Sequence, residues 1–361
     1  MKKIKIIHAA DLHLDSPFEA LGNLAATRRG EQRELLCRIA ELVGSEGADL
    51  LLLSGDLLDG GFAYAETAKM LCSVLGDLSC PVFISPGNHD FYSAKSPYAR
   101  LELPENVHIF KSPKISCVEL LELSVRIWGA GFNDIECPPL LQNFSFDKIP
   151  GVFDLAVLHG DTGSAHSPYN PISAQDIAAS GFDYLALGHV HSFSGLQKSG
   201  STFFAYPGAP EGRGFDECGE KGVLSVEISE SGVFAKFIET ASRKYRVLRA
   251  DANAPIEAQI APSPRDIVRV ELFGACESAP NLAAIRERLK DYFFALELKD
   301  KTTLAENIWA RAEEDTLRGL FLRKMRQELD ATEGDFERAQ ICAAVRWGIA
   351  ALDGGEEAEI L

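Results

Sequence analysis

The sequence has no apolar run that approaches the roughly 20 residues needed for a membrane-spanning helix. Its N-terminus places Lys2, Lys3 and Lys5 beside a short apolar strand, without the longer apolar region and the small-residue cleavage site of a signal peptide. These two absences predict a protein that neither spans a membrane nor is exported. The cytoplasm is therefore the expected compartment.

CxxC spacing is also absent from the eight cysteines, so the sequence offers no zinc-finger motif and no thioredoxin-like redox motif. The cytoplasm keeps thiols reduced. We therefore expect unpaired thiols, most of them buried, such as Cys37 in the helical segment ELLCRIA.

An excess of positive charge is missing as well. The chain has 36 Lys and Arg against 53 Asp and Glu, which gives a formal net charge of -17. A protein that held long DNA only by neutralising its phosphates would usually be basic. Any binding of nucleic acid must therefore be local, weak or supplied by a partner.

What the sequence does have, up to about residue 190, is an alternation of short apolar strands and amphipathic helices. Helices are predicted at residues 31–43, 67–78 and 173–179, the last with Ser173 as its N-cap. This alternation predicts an α/β sheet covered by helices. From residue 201 the segments STFFAYPG, GVLSVEIS and GVFAKFIE predict antiparallel strands that could form a second sheet.

A boundary is predicted near residue 245, where a proline-containing stretch with little periodicity begins. After it come a strand (IVRVELFG), a helix at residues 281–294 and a further strand (ALELKD), followed by helical patterns from residue 304. We predict three parts, at residues 1–245, 246–303 and 304–361. A chain of 361 residues has room for one large domain and a smaller addition.

Five motifs each follow an apolar segment that reads as a buried strand. They are DLH at residues 11–13, GDLLD at 55–59, GNHD at 87–90, His159 after FDLAVL, and GHVH at 188–191. Ligands in an open α/β sheet bind at the carboxyl ends of the strands, so we expect these side chains along one edge of one sheet. Mixed nitrogen and oxygen donors without a thiolate are what a two-metal phosphoesterase needs.

Each motif suggests a role. Asp11 and His13 can reach one ion, because residues two apart in an extended segment face the same side. Asp56 has two carboxylate oxygens and could bridge two metals, although an aspartate in such a motif alone could equally be a helix N-cap. Asn88 offers an amide oxygen.

The histidines divide into two groups. His89 is the natural general acid, since an imidazole titrates near neutrality. His189 and His191 project the same way from a strand end, and His159 completes the candidate ligands. The remaining three are expected elsewhere: His8 in the core, His108 on a strand surface, and His166 in a loop, where it is a candidate substrate contact.

The order of these motifs resembles the signature of the calcineurin-like metallophosphoesterase superfamily. Within it, the segments IIHAADLHLDSP, FDYLALGHVH and YPGAPEGRGFDECGEKGV are similar to those of SbcD-type DNA repair exonucleases, the nuclease subunits that work with an SMC-like ATPase. The resemblance covers residues 1 to about 245 well and the rest only in general layout. It implies a four-layer α/β/β/α sandwich, a small α/β capping-like module and C-terminal helices. Those helices either dock on the ATPase or pack within their own chain.

Carried over residue by residue, the resemblance implies two ions. One would be held by Asp11, His13, Asp56 and His191, and the second by Asp56, Asn88, His159 and His189. It also implies that His89 acts beside the scissile phosphate and that Asp90 orients His89. Manganese is the implied metal, whereas ligand chemistry alone allows Mn, Fe or Zn. Arg213 and Lys221 lie in a loop that is acidic for a DNA-facing segment, and they are candidate phosphate contacts.

The predicted function is a two-metal-dependent phosphodiesterase, a DNA exonuclease or endonuclease of DNA repair. Its expected partners are DNA, an SMC-like ATPase and, from the resemblance, a second copy of the chain. One alternative is a phosphoesterase that acts on a small nucleotide or a phosphoprotein, which the acidic charge favours. Another is a metal-loaded scaffold with little activity of its own, which the presence of His89 argues against.

Overall fold

The computed structural model describes residues 2–60 and 64–352 of the chain. Contacts divide the chain into two compact units, with the boundary between Ser242 and Arg243. The predicted domain boundaries near residues 245 and 303 stay predictions. Among the described residues, no helix has both the length and the apolar character needed to cross a bilayer.

The first unit consists of two six-stranded sheets and the helices that pack on them. Its elements are β1 (Lys3–Ala9), a 3₁₀ helix (Glu19–Leu24), α1 (Ala25–Glu46), β2 (Leu50–Leu53), α2 (Ala65–Gly76), β3 (Val82–Ile84), α3 (Pro97–Arg100), β4 (Val107–Ile109), β5 (Ser116–Leu120), β6 (Val125–Gly129), β7 (Phe153–His159), α4 (Ala174–Ser180), β8 (Tyr184–Gly188), β9 (Gln197–Ser199), β10 (Thr202–Ala205), β11 (Gly222–Ser229) and β12 (Gly232–Glu239). The first sheet has the order β12-β11-β1-β2-β3-β4, and the second has the order β5-β6-β7-β8-β10-β9.

The predicted second sheet of residues 201–239 is wrong in its membership. Strand β11 extends the first sheet antiparallel to β1, and β12 pairs antiparallel with β11, whereas β10 pairs parallel with β8 in the second sheet. The reason is burial: Leu224, Val226 and Ile228 of β11 belong to the core between the sheets, so this strand must lie inside a covered sheet. The second sheet begins much earlier in the chain, at β5.

Four layers follow from the alternation of side chains along the strands. Leu50 and Leu52 of β2 face the second sheet, whereas Leu51 and Leu53 pack against the helices on the other face. A run of four buried leucines is typical of a parallel strand that is covered on both sides. On the outer face of the second sheet, Ile177 of α4 packs with apolar residues of β7 and β8. The mixed α/β sandwich is therefore confirmed.

The predicted helices are confirmed with shifted ends. Helix α1 extends the prediction at both ends, and α4 begins after Ser173, whose hydroxyl accepts a hydrogen bond from the Asp176 backbone amide in a capping box. The eight cysteines are free thiols, as expected, but Cys117 and Cys218 are exposed rather than buried.

The second unit has a small parallel sheet and a group of helices. Its elements are β13 (Tyr245–Asp251), a 3₁₀ helix (Ile256–Ala258), β14 (Ser263–Phe273), β15 (Ala275–Cys276), α5 (Leu282–Leu289), β16 (Phe293–Asp300), β17 (Thr303–Leu304), a 3₁₀ helix (Glu306–Glu313), α6 (Leu317–Ala331) and α7 (Asp335–Leu352). Strands β13, β14 and β16 form the parallel sheet. Helix α5 stops before the predicted residue 294, because Phe293 is buried as the first residue of β16. Leu322 of α6 packs with Val345 and Ile349 of α7 in a core of their own.

Candidate metal centre

The candidate ligands come from two sheets. The sequence had suggested that they would lie along the edge of a single sheet. Asp11, Asp56 and Asn88 follow β1, β2 and β3 of the first sheet, whereas His159 ends β7 and His189 follows β8 of the second. The two sheets share one core, so the carboxyl ends of these strands meet. One hydrogen bond joins them directly, from His159 Nδ1 to the Ser54 carbonyl at 2.9 Å.

The loops that carry the first two motifs are held against each other by their backbones. The Asp11 amide donates to the Gly55 carbonyl at 2.9 Å, and the His13 amide donates to the Asp56 carbonyl at 2.9 Å. Asp11, His13 and Asp56 have positive φ angles of 55°, 45° and 51°. Such backbone is uncommon for residues other than glycine and tends to occur at functional sites. Here it turns three polar side chains toward one point.

One cluster contains Asp11, His13 and His191, whose ligand atoms lie within 4.8 Å of one another. His13 Nε2 is 3.2 Å from His191 Nε2 and 3.7 Å from Asp56 Oδ2. Asp11 Oδ1 is 3.9 Å from His191 Nε2. The structure thus brings together the four residues that the resemblance implied for one ion.

A second cluster contains Asp56, His159 and Asn88. His159 Nε2 is 3.5 Å from Asp56 Oδ2 and 3.1 Å from Asn88 Oδ1. The rings of His159 and His189 meet edge to face, with their centroids 5.2 Å apart. Asp56 therefore lies between the two groups, where one carboxylate can serve both.

The chemistry of these donors fits divalent metal ions. Asp11 and Asp56 are each 1% exposed, and burial raises the pKa of Asp11. Burial lowers the pKa of His13, which favours the neutral imidazole that binds metals. Its Nδ1 is buried without a hydrogen-bond partner. Two nitrogens on one ion, each about 2.1 Å from it, lie about 3 Å apart, close to the 3.2 Å between His13 and His191.

His89 lies at the rim of this centre, and its partner is Asp59. The His89 side chain is 43% exposed, and its Nδ1 is 3.1 Å from Asp59 Oδ1. The hydrogen bond to Asp59 raises the pKa of His89, because the carboxylate stabilises the imidazolium. Although burial of Asp59 opposes ionisation, the nearby imidazole of His13, 3.5 Å away, and the hydrogen bond to His89 hold the pKa of that carboxyl well below its usual range. Asp59 and His89 thus form an ionised carboxylate–imidazole pair beside the ligands.

The expected role of Asp90 in orienting His89 is wrong. Asp90 is buried, and its carboxylate accepts hydrogen bonds from the backbone amides of Leu57 and Gly87, each at 2.7 Å, and from the Tyr98 hydroxyl. A carboxylate has two acceptor oxygens, and here the loop backbone uses them. Asp90 therefore fixes the loop that carries Asp56.

His191 has a carboxylate partner that the sequence did not suggest. Its Nδ1 is 2.8 Å from Glu217 Oε1, and the Glu217 carboxylate also accepts from the Arg213 guanidinium at 2.9 Å. Although burial opposes it, the hydrogen bond to Glu217 raises the pKa of His191. A carboxylate on the far nitrogen fixes the ring orientation and tautomer of a metal-binding histidine.

The remaining predicted residues differ in whether their side chains reach the metal centre. Arg213 is at the site, with its guanidinium 3.8 Å from Asp59, while Lys221 is buried and donates to the His191 carbonyl. His166 is on an exposed loop and belongs to neither cluster. His8 is fully buried and His108 is exposed on β4, as expected.

Two residues of the site were missed by sequence reasoning. Asp59 ends the GDLLD motif, so its signal was present and went unused. Glu217 lies 26 residues from His191, and no spacing rule connects them. The acidic character of that loop was the signal, and it was read as a departure from a DNA-facing segment.

The chain belongs to the family described as calcineurin-like phosphoesterases, whose model matches residues 4–193. This is a family of phosphoester hydrolases that bind divalent metals, and the His and Asp clusters above can hold such ions. Among curated proteins, the chain is similar to the uncharacterized metallophosphoesterase YhaO of Bacillus subtilis. The two are 29% identical over 246 residues, which covers 65% of this chain and 60% of the relative.

Two further relatives have names that describe an activity or a process. The D subunit of the nuclease SbcCD of Rhodobacter capsulatus is 29% identical over 131 residues, 35% of this chain and 27% of the relative. The DNA double-strand break repair protein Mre11 of Saccharolobus solfataricus is 22% identical over 260 residues, 68% of this chain and 66% of the relative. The chain thus matches less than two thirds of the length of YhaO and of the SbcCD protein.

Proposed function

We propose that this chain is a two-metal-dependent phosphodiesterase that cleaves DNA in repair, acting with an SMC-like ATPase. The observation that carries the proposal is that the strand ends of two sheets bring His13 and His159 to 3.7 and 3.5 Å from one carboxylate oxygen of Asp56. This arrangement occurs in a chain that is similar to proteins named as part of a nuclease and as a DNA double-strand break repair protein. DNA is the proposed substrate, and a homodimer in the cytoplasm is the proposed state.

The proposed ligands of one ion are Asp11, His13, Asp56 and His191, and those of the other are Asp56, Asn88, His159 and His189. Manganese is the proposed metal, and iron and zinc suit the same donors. Two such ions can activate water and stabilise the charge that develops on phosphorus.

The other residues of the candidate metal centre then have defined tasks. His89, held by Asp59, donates a proton to the leaving oxygen, and its raised pKa favours the protonated form that this role needs. Arg213 lies 3.8 Å from Asp59 and offers a cation to the phosphate. Asp90 acts by fixing the loop that carries Asp56, and Glu217 acts by orienting His191.

The net charge of -17 favours a second candidate, a phosphoesterase for a small nucleotide or a phosphoprotein. Such a substrate needs no extended basic surface. A scaffold with little activity is the third candidate, and the presence of His89 beside the ligands speaks against it.

The test compares three substrates with the purified full chain in the presence of Mn²⁺. They are a 3′-labelled DNA duplex, bis-p-nitrophenyl phosphate and p-nitrophenyl phosphate. We expect hydrolysis of both diesters. Cleavage of the monoester alone would contradict the nuclease proposal, and no cleavage of any substrate would support the scaffold.

His89→Ala tests the proton donor. We expect its loss on DNA to be about a hundredfold or more, because general acid catalysis contributes that much. The loss on bis-p-nitrophenyl phosphate should be smaller, since p-nitrophenolate leaves without a proton. His108→Ala, on an exposed strand surface, is the matched control. Equal loss on both diesters would remove the assigned role from His89.

A further inference from the structure

A cavity of about 360 Å³ opens beside His89. It lies where the chain continues from the GNHD motif toward α3, and its walls include His89, Phe91, Lys95 and Arg100. Its size is within the range of about 300–1,000 Å³ that is typical of small-molecule sites. Because the half-exposed ring of His89 forms one wall, an occupant of this cavity would touch the proposed proton donor.

The cavity carries uncompensated positive charge in an acidic protein. Lys95 and Arg100 are exposed, and neither forms an ion pair within residues 2–60 and 64–352. The acidic residue of the wall, Asp90, is occupied by backbone amides and by Tyr98. Two cations without a carboxylate partner are suited to a phosphate, which Arg can bind through two parallel hydrogen bonds.

The same cavity contains an aromatic side chain. Phe91 is half-buried, and in the part of the chain that the structure describes no other ring stacks on it. An aromatic ring next to cations is the combination with which proteins hold single-stranded nucleotides, since every base can stack on it.

The segment is held in place independently of any ligand. The Tyr92 amide donates to the Phe132 carbonyl at 2.7 Å, and the Ser96 hydroxyl donates to the Ser93 carbonyl at 2.9 Å. Tyr98 is 2% exposed and anchors α3 to Asp90. The wall is therefore formed before a ligand arrives, which reduces the entropy lost on binding.

From this geometry we propose that the cavity binds the nucleotide next to the scissile phosphodiester. The base of that nucleotide stacks on Phe91, and its far phosphate lies between Lys95 and Arg100. This inference rests on the proposed phosphodiesterase function and specifies how an acidic chain binds a nucleic acid strand locally. It predicts a preference for diesters that carry a nucleoside over diesters that do not.

The test uses the double variant Lys95→Ala/Arg100→Ala with three substrates: single-stranded DNA, the p-nitrophenyl diester of thymidine 5′-monophosphate, and bis-p-nitrophenyl phosphate. We expect KM for DNA to rise about tenfold, and to rise at least fivefold more than KM for bis-p-nitrophenyl phosphate. The slope of log(kcat/KM) against log salt for DNA should fall by about 1 to 2, because two phosphate contacts are lost. Phe91→Leu should raise KM for both nucleoside-containing substrates about fivefold or more.

Lys69→Ala/Lys114→Ala is the matched control, since it removes two exposed cations away from the cavity. It should retain wild-type KM values on all three substrates. Equal KM increases of the double variant on DNA and on bis-p-nitrophenyl phosphate, or no KM increase of Phe91→Leu on the two nucleoside-containing substrates, would overturn the subsite. If the wild type cleaves the thymidine diester but not DNA, the DNA nuclease proposal fails, and a KM increase of Phe91→Leu on that diester still supports the subsite.

Discussion

The two units differ in where they place their polar residues. In the first unit, five polar side chains of one region are at most 1% exposed: Asp11, His13, Asp56, Asp90 and His159. In the described part of the second unit, the buried polar residues are Thr302 and Arg346, and Arg346 donates a hydrogen bond to the Thr302 carbonyl. Buried charge is costly unless it is paired or holds a metal.

Backbone conformation shows the same difference. Every described residue other than glycine with a positive φ lies in the first unit, and Asp11, His13, Asp56 and His189 are among them. Such conformations cost about 1–3 kcal/mol each and persist only where the surroundings impose them. The first unit therefore tolerates unfavourable local structure at its candidate site, whereas the described part of the second unit has no such residue.

The largest expected effect is that of Asp56→Asn. Asp56 lies between the two ligand groups, so its charge contributes to both, and metal-dependent hydrolysis of bis-p-nitrophenyl phosphate should fall about a hundredfold or more. The loss should be accompanied by a smaller Mn²⁺-induced rise in Tm. Asp291→Asn, on the surface of the second unit, is the matched control. Wild-type activity of Asp56→Asn would contradict the view that the buried polar residues of the first unit form a metal-dependent active site.

Glu217→Gln should weaken metal binding without abolishing it. The carboxylate holds His191 from behind, and loss of such partners typically lowers metal affinity 10–100-fold. Titration calorimetry with Mn²⁺ measures this directly. Glu277→Gln removes a comparable carboxylate, which pairs with Arg311 in the second unit, and should leave the affinity unchanged. Equal affinities of both variants would show that Glu217 does not position His191.

His8 provides a pH-dependent test of the buried polar residues. Burial lowers the pKa of His8 to about 3, so below pH 6.5 the unfolded chain binds a proton that the folded chain does not. This residue should therefore lower the free energy of unfolding by up to about 1.4 kcal/mol per pH unit as the pH falls from about 6.5 toward 3. Urea unfolding between pH 7 and 5 should show a flatter dependence for His8→Gln.

The control for this experiment is His166→Gln on an exposed loop, which should keep the wild-type slope. If His8→Gln keeps it as well, then His8 takes up its proton in the folded state and the buried network around Ser54 and Tyr184 accommodates the charge.

The smallest effect is expected in the second unit. Arg326 and Asp330 form an i,i+4 ion pair of 3.2 Å on α6, and their side chains are 48% and 61% exposed. Asp330→Ala should change the free energy of unfolding by no more than about 0.5 kcal/mol, since exposed pairs contribute little. Thermal unfolding checks this, and a loss above about 1 kcal/mol would contradict the view that this ion pair is solvated.

The sequence by itself contains the motifs, and it predicted the strands that precede them and the layered α/β class. These signals are local: a buried strand needs a run of apolar residues, and a tight turn before a ligand needs residues such as Gly55 or Gly87. A Cβ on Gly87 would collide with Asp56 Oδ1, so the motif spacing and the site geometry are linked. This is why the candidate ligands could be named before the fold was known.

Only the tertiary structure decided which sheet each strand joins and which residue holds which. Strand β11 lies beside β1, more than 200 residues earlier in the chain, because both bury apolar residues in one core. That packing determines three pairs of partners: Asp59 with His89, Glu217 with His191, and the loop backbone with Asp90. Hydrogen bonds depend on distance in space and not on spacing in sequence, so the ligands could be read from the chain but their supports could not.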